Sequence, residues 1–306
     1  MGEAVFTQIT QRDGYTIKLA QYLCPKEPKA SILILHGMAE HQKRYLSFTE
    51  YLTAHGYDVY LYDHRGHGMD RKFGELGFFA SSNGHQLVVK DAIAVSEHLA
   101  RTSRSNKIFL LGHSMGSIIA RNVIQSYDKY TGVILSGSNY PSKFIVHFGL
   151  FLSSLIKKMK GPKHVSPYLH NLFFGGKKYT SLSSRTVYDW LTRSNPIVGA
   201  YMHDPYCGFT CTASFYHDLL KLVQNEISKK QILQTRKELP ILIISGEKDP
   251  VGGYGREIHK FASTFKKLGF SNCTLKLYPD CRHEILNELN REEVYADIVA
   301  WISKKS

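Results

Sequence analysis

The chain has 306 residues and a mass of 34.8 kDa, and its 39 Lys and Arg against 26 Asp and Glu give a formal charge of +13. With 43% hydrophobic and 12% aromatic residues it carries too much apolar surface for a disordered chain. The length fits one large domain, or a core with an elaborated insert, and the basic balance leaves nucleic acid, a membrane surface or an anionic substrate open as partners.

The N-terminal stretch MGEAVFTQITQRDG lacks a basic start followed by an apolar run, so it does not read as a secretory signal. Gly2 meets one requirement for myristoylation, but Phe6 stands where Ser or Thr is needed. No apolar run approaches the roughly 20 residues that cross a bilayer. The five cysteines at 24, 207, 211, 273 and 281 read as free thiols of a reducing cytosol, so a soluble intracellular protein is expected. Cys207-x3-Cys211 could begin a metal site. No second Cys/His pair follows at zinc spacing, and no metal or other cofactor is expected.

Residues 5–9 and 15–22 flank Arg12-Asp13-Gly14 and predict an antiparallel hairpin on a sheet edge. Strands are then predicted at 30–36, 58–62, 107–111, 132–136, 240–245 and 273–278, each short, apolar and rich in branched residues. Helices are predicted between them at 44–55, 87–102 and 117–126, and after the gap at 257–268 and 287–304. Continuous apolar strands alternating with helices imply an α/β fold, a mainly parallel twisted sheet covered on both faces.

The alternation lapses over 141–235, giving a catalytic core of 1–140 and 236–306 with a helical insert. Aromatics such as Phe144, Phe148, Phe173 and Trp190 would let the insert bury a surface of its own. Ligands bind such sheets at the carboxyl ends of the strands, so an insert after the sixth strand can serve as a cap, or lid. Residues 144–156 are mostly apolar and precede Lys157, Lys158 and Lys160. They predict a lid helix whose inner face contacts an apolar ligand, with membrane docking the second reading.

Gly112-His113-Ser114-Met115-Gly116 lies between a predicted strand and a predicted helix. A sharp strand-to-helix turn would expose the Ser114 hydroxyl and aim the free amides of the helix start at an oxyanion, with the glycines relieving the crowding. A serine nucleophile needs a base oriented by a carboxylate. Asp249 follows the strand 240–245 and His283 follows 273–278, so both stand where the chain order Ser, acid, His requires. Glu247 is the alternative acid, and Asp280 and Glu284 read as polar loop residues near the base. The second part of an oxyanion hole would come from His36-Gly37-Met38, with the amides of Met38 and Met115 as donors.

Together with His36-Gly-Met-Ala-Glu-His-Gln-Lys-Arg-Tyr45, Asp63-His-Arg-Gly-His-Gly68, Gly246-Glu-Lys-Asp249 and His283-Glu284, these motifs resemble the α/β-hydrolase superfamily. More narrowly they resemble its monoacylglycerol lipase and lysophospholipase branch, over roughly 1–140 and 236–306. The resemblance implies ester hydrolysis by Ser114, His283 and Asp249, with a small lipid ester as substrate. It also implies that Glu40 and Arg44 bind the polar head-group end, or else brace their loop. The stretch 63–68 is expected to be a structural turn. Met38 departs from the Ala usual in monoglyceride lipases and would narrow the acyl entrance.

The expected chemistry is acylation of Ser114 followed by hydrolysis, with His283 as base and then acid. A peptidase or acyltransferase of the same fold remains an alternative, as does a non-catalytic scaffold. Nucleic acid is not expected, because no Lys/Arg stripe interleaves with aromatics. Over 141–237 stand 14 Lys and Arg against four acids, so +10 of the +13 belongs to the insert and its exit. That basic cap could touch an anionic membrane surface, making the protein peripheral; the oligomeric state is not legible.

Overall fold

A computed structural model describes residues 4–182 and 185–305. Eight strands form one sheet: β1 (Val5–Thr10), β2 (Thr16–Tyr22), β3 (Ala30–Leu35), β4 (Tyr57–Leu61), β5 (Ile108–His113), β6 (Gly132–Ser136), β7 (Ile241–Gly246) and β8 (Cys273–Tyr278). Their order is β1-β2-β4-β3-β5-β6-β7-β8. From β4 to β8 all pairings are parallel, and the β1–β2 hairpin joins antiparallel through β2 against β4.

Five helices cover the sheet directly: α1 (Leu46–Ala54), α2 (Gly84–Thr102), α3 (Met115–Val123), and, numbered after six helices described below, α10 (Arg256–Lys267) and α11 (Arg291–Lys305). Side chains alternate between the faces of a strand, so consecutive residues enter different cores. Leu33, Leu110, Val133 and Ile243 join α2, α3 and α10 through Val95, Ile119 and Phe261. Their neighbours Ile34, Leu111, Ile134 and Ile244 meet α1 and α11 through Phe48, Ile298 and Trp301. Both faces are buried, which is why these strands lack the polar alternation of a one-sided sheet.

Most predicted elements agree in type and shift by one to four residues at their ends. The segment predicted as one helix over 44–55 is a 3-10 turn, Gln42–Tyr45, running into α1. The last helix begins at Arg291, after a separate 3-10 turn at Ile285–Asn287.

Between β6 and β7 lie α4 (Lys143–Lys160), α5 (Pro167–Phe174), α6 (Lys177–Thr180), α7 (Asn195–His203), α8 (Ala213–Glu226) and α9 (Lys229–Ile232). This insertion does not bury a separate core of its own, as its aromatic content had led us to expect. Phe215, Tyr216, Leu222 and Val223 of α8 belong to the same cluster as α3. Asn122 on α3 donates to the Leu222 carbonyl at 3.1 Å, and Arg121 pairs with Glu226 at 2.9 Å. Among the described residues Leu191, Tyr201 and Cys207 form a small satellite cluster, with Tyr188 and Trp190 packed against it.

The long apolar helix also differs from expectation. α4 buries Val146, Gly149, Leu150 and Ser153 on its inner side. A Cβ at Gly149 would sit 3.0 Å from Leu220, so the helix lies close on α8. Phe144, Ile145, Phe148, Phe151, Leu155 and Met159 point outward, each more than 40% exposed. Among the described residues no helix is long and apolar enough to cross a membrane, and all five cysteines are free.

Candidate active site

β5 ends at His113 and α3 begins at Met115, leaving Ser114 to make the whole turn at φ +53° and ψ −117°. That conformation is strained for a residue with a side chain. Its flanking glycines each answer a particular contact. A Cβ at Gly112 would collide with the Gly116 carbonyl, and one at Gly116 would collide with the Leu35 carbonyl on β3. The crowding is therefore partly within the turn and partly against the neighbouring strand.

Ser114 Oγ lies 2.9 Å from His283 Nε2, and His283 Nδ1 lies 3.0 Å from Asp249 Oδ2. Asp249 is fully buried and also accepts from the Ser245 hydroxyl at 3.2 Å and the Val251 amide at 2.8 Å. These bonds fix the carboxylate so that Nδ1–H donates to it and Nε2 faces the serine as acceptor. Burial pulls the His283 pKa down, but the Asp249 carboxylate and its hydrogen bond outweigh it, with Glu284 and Glu40 adding, and the net shift is upward. Glu247 and Asp280 are exposed on their loops.

The loop after β3 approaches from the other side. A Cβ on Gly37 would come 3.3 Å from the Ser114 Cβ. The Gly37 amide donates to Glu40 Oε1 at 2.5 Å, and the Ala39 amide donates to His67 Nε2 at 3.1 Å. Among the described residues no acceptor binds the Met38 amide between them, or the Met115 amide at the start of α3. Both amides are thus unspent among the described residues, one in the loop whose Gly37 packs against Ser114 and the other next to Ser114 in the chain. His67 comes from the stretch 63–68, and Asp63 Oδ1 accepts from the Gln42 amide at 2.7 Å, so that turn braces this loop.

Glu40 and Glu284 meet around one guanidinium. Arg44 Nη1 donates to Glu40 at 2.5 Å, and Arg44 makes two bonds to Glu284 at 2.6 and 2.7 Å. Glu40 also accepts from the Tyr45 hydroxyl at 2.8 Å. Burial would raise both carboxyl pKa values; Arg44 reverses that and holds both ionised. Glu40 lines the cavity described next, whereas Arg44 stands behind it, outside the lining. Sequence reading undervalued Glu284, whose only signal was its place next to His283.

A cavity of about 230 Å³ opens above Ser114, walled by Met38, His113, Phe174, Tyr179, Trp190 and Tyr201 among others. Its apolar side comes from the insertion, yet among the described residues none of α4 lines it, contrary to the expectation that this helix faces the ligand. The residues that do contribute carry no motif. The Trp190 ring packs 5.2 Å from His283, and the Leu191 carbonyl accepts from the Glu284 amide at 2.7 Å. The insertion therefore holds the His283 loop as well as roofing the cavity.

A family model, Hydrolase_4, described as serine aminopeptidase, S33, matches residues 26–290. The chain is 26% identical over 293 residues to a monoacylglycerol lipase of Mycolicibacterium smegmatis, covering 90% of this chain and 89% of the relative. It is 27% identical to the monoglyceride lipase of Homo sapiens, covering 91% and 84%. A thermostable carboxyl esterase from Bacillus coagulans, solved in complex with glycerol, matches with a TM-score of 0.89 at 25% identity and covers 99% of both chains.

Proposed function

The chain belongs to the Hydrolase_4 family of α/β-hydrolases, and on that footing we propose that it hydrolyses carboxylic esters of lipids, monoacylglycerols or lysophospholipids, through an acyl-enzyme on Ser114. The observation that carries this reading is the unbroken Ser114–His283–Asp249 hydrogen-bond chain at the floor of an aromatic-walled cavity.

His283 Nε2 takes the Ser114 proton as Oγ attacks the ester carbonyl, and Asp249 holds the imidazole and stabilises its cation. The Met38 and Met115 amides receive the oxyanion; losing one such donor typically costs about 3–4 kcal/mol in the barrier. His283 then protonates the departing alcohol, and water activated by the same imidazole releases the fatty acid. Residues 141–235 act as the cap, with Phe174, Tyr179 and Trp190 against the acyl chain.

Glu40 and Arg44 serve here by fixing the loop that bears Met38, with Glu40 and Glu284, but not Arg44, lining the cavity.

The test is a matched series of monoacylglycerols, lysophospholipids, short esters and aminoacyl amides, with an active-site fluorophosphonate alongside. Wild type is expected to be labelled and to turn over the lipid esters, and Ser114→Ala to lose both. Equal labelling of the two proteins would remove Ser114 from the mechanism, and preference for the amides would restore the peptidase.

A second reading concerns the outward face of α4. Phe144, Phe148, Phe151, Leu155 and Met159 follow the spacing of one helical stripe, and Lys143, Lys158 and Lys160 are exposed on the same helix. Tyr168 and Leu172 are exposed on α5, whose Asn171 and Phe174 line the cavity. An apolar stripe edged with lysines suits the headgroup layer of an anionic bilayer. Docked there, the protein would receive its substrate from the surface in which that substrate resides.

A further inference from the structure

Cys207-x3-Cys211 stood out in the sequence as the possible start of a metal site and was set aside because no second Cys/His pair follows at zinc spacing. The fold separates those two thiols and brings different ligands to Cys207. Cys211 is buried against Gly77, where a Cβ would lie 2.6 Å from the Cys211 Cα. The Cys207 thiol instead faces His41, from the loop after β3, and Asp204, from the end of α7. One ligand atom from each of His41, Asp204 and Cys207 lies within 4.8 Å of the other two.

We propose that His41, Asp204 and Cys207 form a binding site for one divalent cation of the Zn2+ class, joining the insertion to the loop that carries Met38. Imidazole, carboxylate and thiolate are the ligands Zn2+ prefers, and three protein ligands leave a fourth position for water. His41 Nε2 is already 2.8 Å from Asp204 Oδ2, so closing the set requires the thiol to move in by an ångström or so. His41 Nδ1 is buried with no hydrogen-bond partner among the described residues, so the ring is held at one nitrogen only.

The ligands also stand on backbone that is already docked. The Gly208 amide donates to the Ala39 carbonyl at 2.9 Å, and the Tyr201 hydroxyl donates to the same oxygen at 3.1 Å. Asp204 Oδ1 accepts from the Tyr206 amide at 2.8 Å, which leaves Oδ2 for the shared side. His41 and Cys207 are buried and Asp204 is about a quarter exposed, giving an ion a path in from solvent.

On binding, the thiol proton leaves to solvent and the Cys207 sulfur bonds to the metal, the Nε2 proton that His41 donates to Asp204 is replaced by one on Nδ1, and the His41–Asp204 hydrogen bond gives way to two metal–ligand bonds. Without a metal, that pair is an ordinary hydrogen bond and the thiol an ordinary buried residue, so the alternatives differ in what Co2+ does.

The experiment titrates Co2+ into the chelator-treated full-length protein. One equivalent is expected to produce thiolate-to-cobalt absorption in the near ultraviolet, retained in Cys211→Ser and lost in both Cys207→Ser and Asp204→Asn. Saturating Zn2+ is expected to raise the melting temperature of wild type by about 3 °C or more and to leave Cys207→Ser unmoved. No thiolate band in wild type up to millimolar Co2+ would overturn the site, as would a band that survives Cys207→Ser. Using two independent ligand variants keeps the outcome readable if one of them folds poorly.

Discussion

Ser114 meets His283 at 2.9 Å because a left-handed φ of +53° lifts its side chain clear of both strand and helix. The cost of holding a non-glycine residue there is on the order of 1–3 kcal/mol, offset by the buried strand and helix on either side. Asp249 is fixed by three hydrogen bonds, whereas Glu247, two residues earlier, is exposed. Replacing Asp249 by Asn is expected to lower kcat by about 10^4-fold through the wrong imidazole tautomer, and Glu247→Gln to change it little. The reverse order would move the acid to Glu247. The pH profile gives an independent reading. In the proposed mechanism His283 must be neutral to act as base, and the Asp249 carboxylate raises its pKa from the ordinary 6.5, so kcat/KM should climb through a pKa above that value. In Asp249→Asn the residual activity should climb at lower pH, because the carboxylate that raised the imidazole is gone. An unmoved acidic limb would mean that another group titrates there.

At the level of elements, α4 separates two roles that its composition alone confounds. Its small and aliphatic residues, Val146, Gly149 and Leu150, face α8, and its larger aromatics face solvent. An inner face of that kind packs helix on helix and leaves the cavity to α5, α6 and the segment carrying Trp190. Substituting Phe148 and Phe151 together by Ser should leave hydrolysis of a short soluble ester within about twofold and keep the melting temperature. Sedimentation with vesicles containing anionic lipid should fall several-fold in the same variant. Equal partitioning of variant and wild type would exclude this helix from the lipid contact. Loss of short-ester activity would instead assign the stripe to packing around the cavity.

Across the whole molecule, +10 of the +13 lies within 141–237, and the remaining core is nearly neutral. Exposed lysines at 143, 158 and 160 on α4 and at 163, 177 and 178 further along carry part of that charge on the insertion. Activity on anionic vesicles is therefore expected to drop as ionic strength rises from about 0.01 to 0.5 M, where the screening length falls from about 30 Å to a few ångströms. Activity on a neutral short ester should stay flat over the same range. A vesicle reaction insensitive to salt would confine the lysines to keeping the insertion soluble.

Local physics made the parallel sheet, the serine turn and the order of nucleophile, acid and base readable from the chain. Strand period, glycine placement and position after a strand are all properties of neighbouring residues. The Glu40–Arg44–Glu284 bridge was not readable in that way, since Arg44 and Glu284 stand 240 positions apart and meet only once β3 and β8 share a sheet. Nor was the cavity wall, because Trp190 and Tyr179 reach His283 and Ser114 through helix packing that leaves no local period. Nor was the inward face of α4, where Gly149 lies close against Leu220 of α8. The neighbours of Cys207 were decided likewise, by a loop that docks on the Ala39 carbonyl from 169 residues away. Sequence determined what is written in short-range periodicity and sterics; tertiary structure decided every contact between distant segments, whose pairing depends on where the sheet and helices place them.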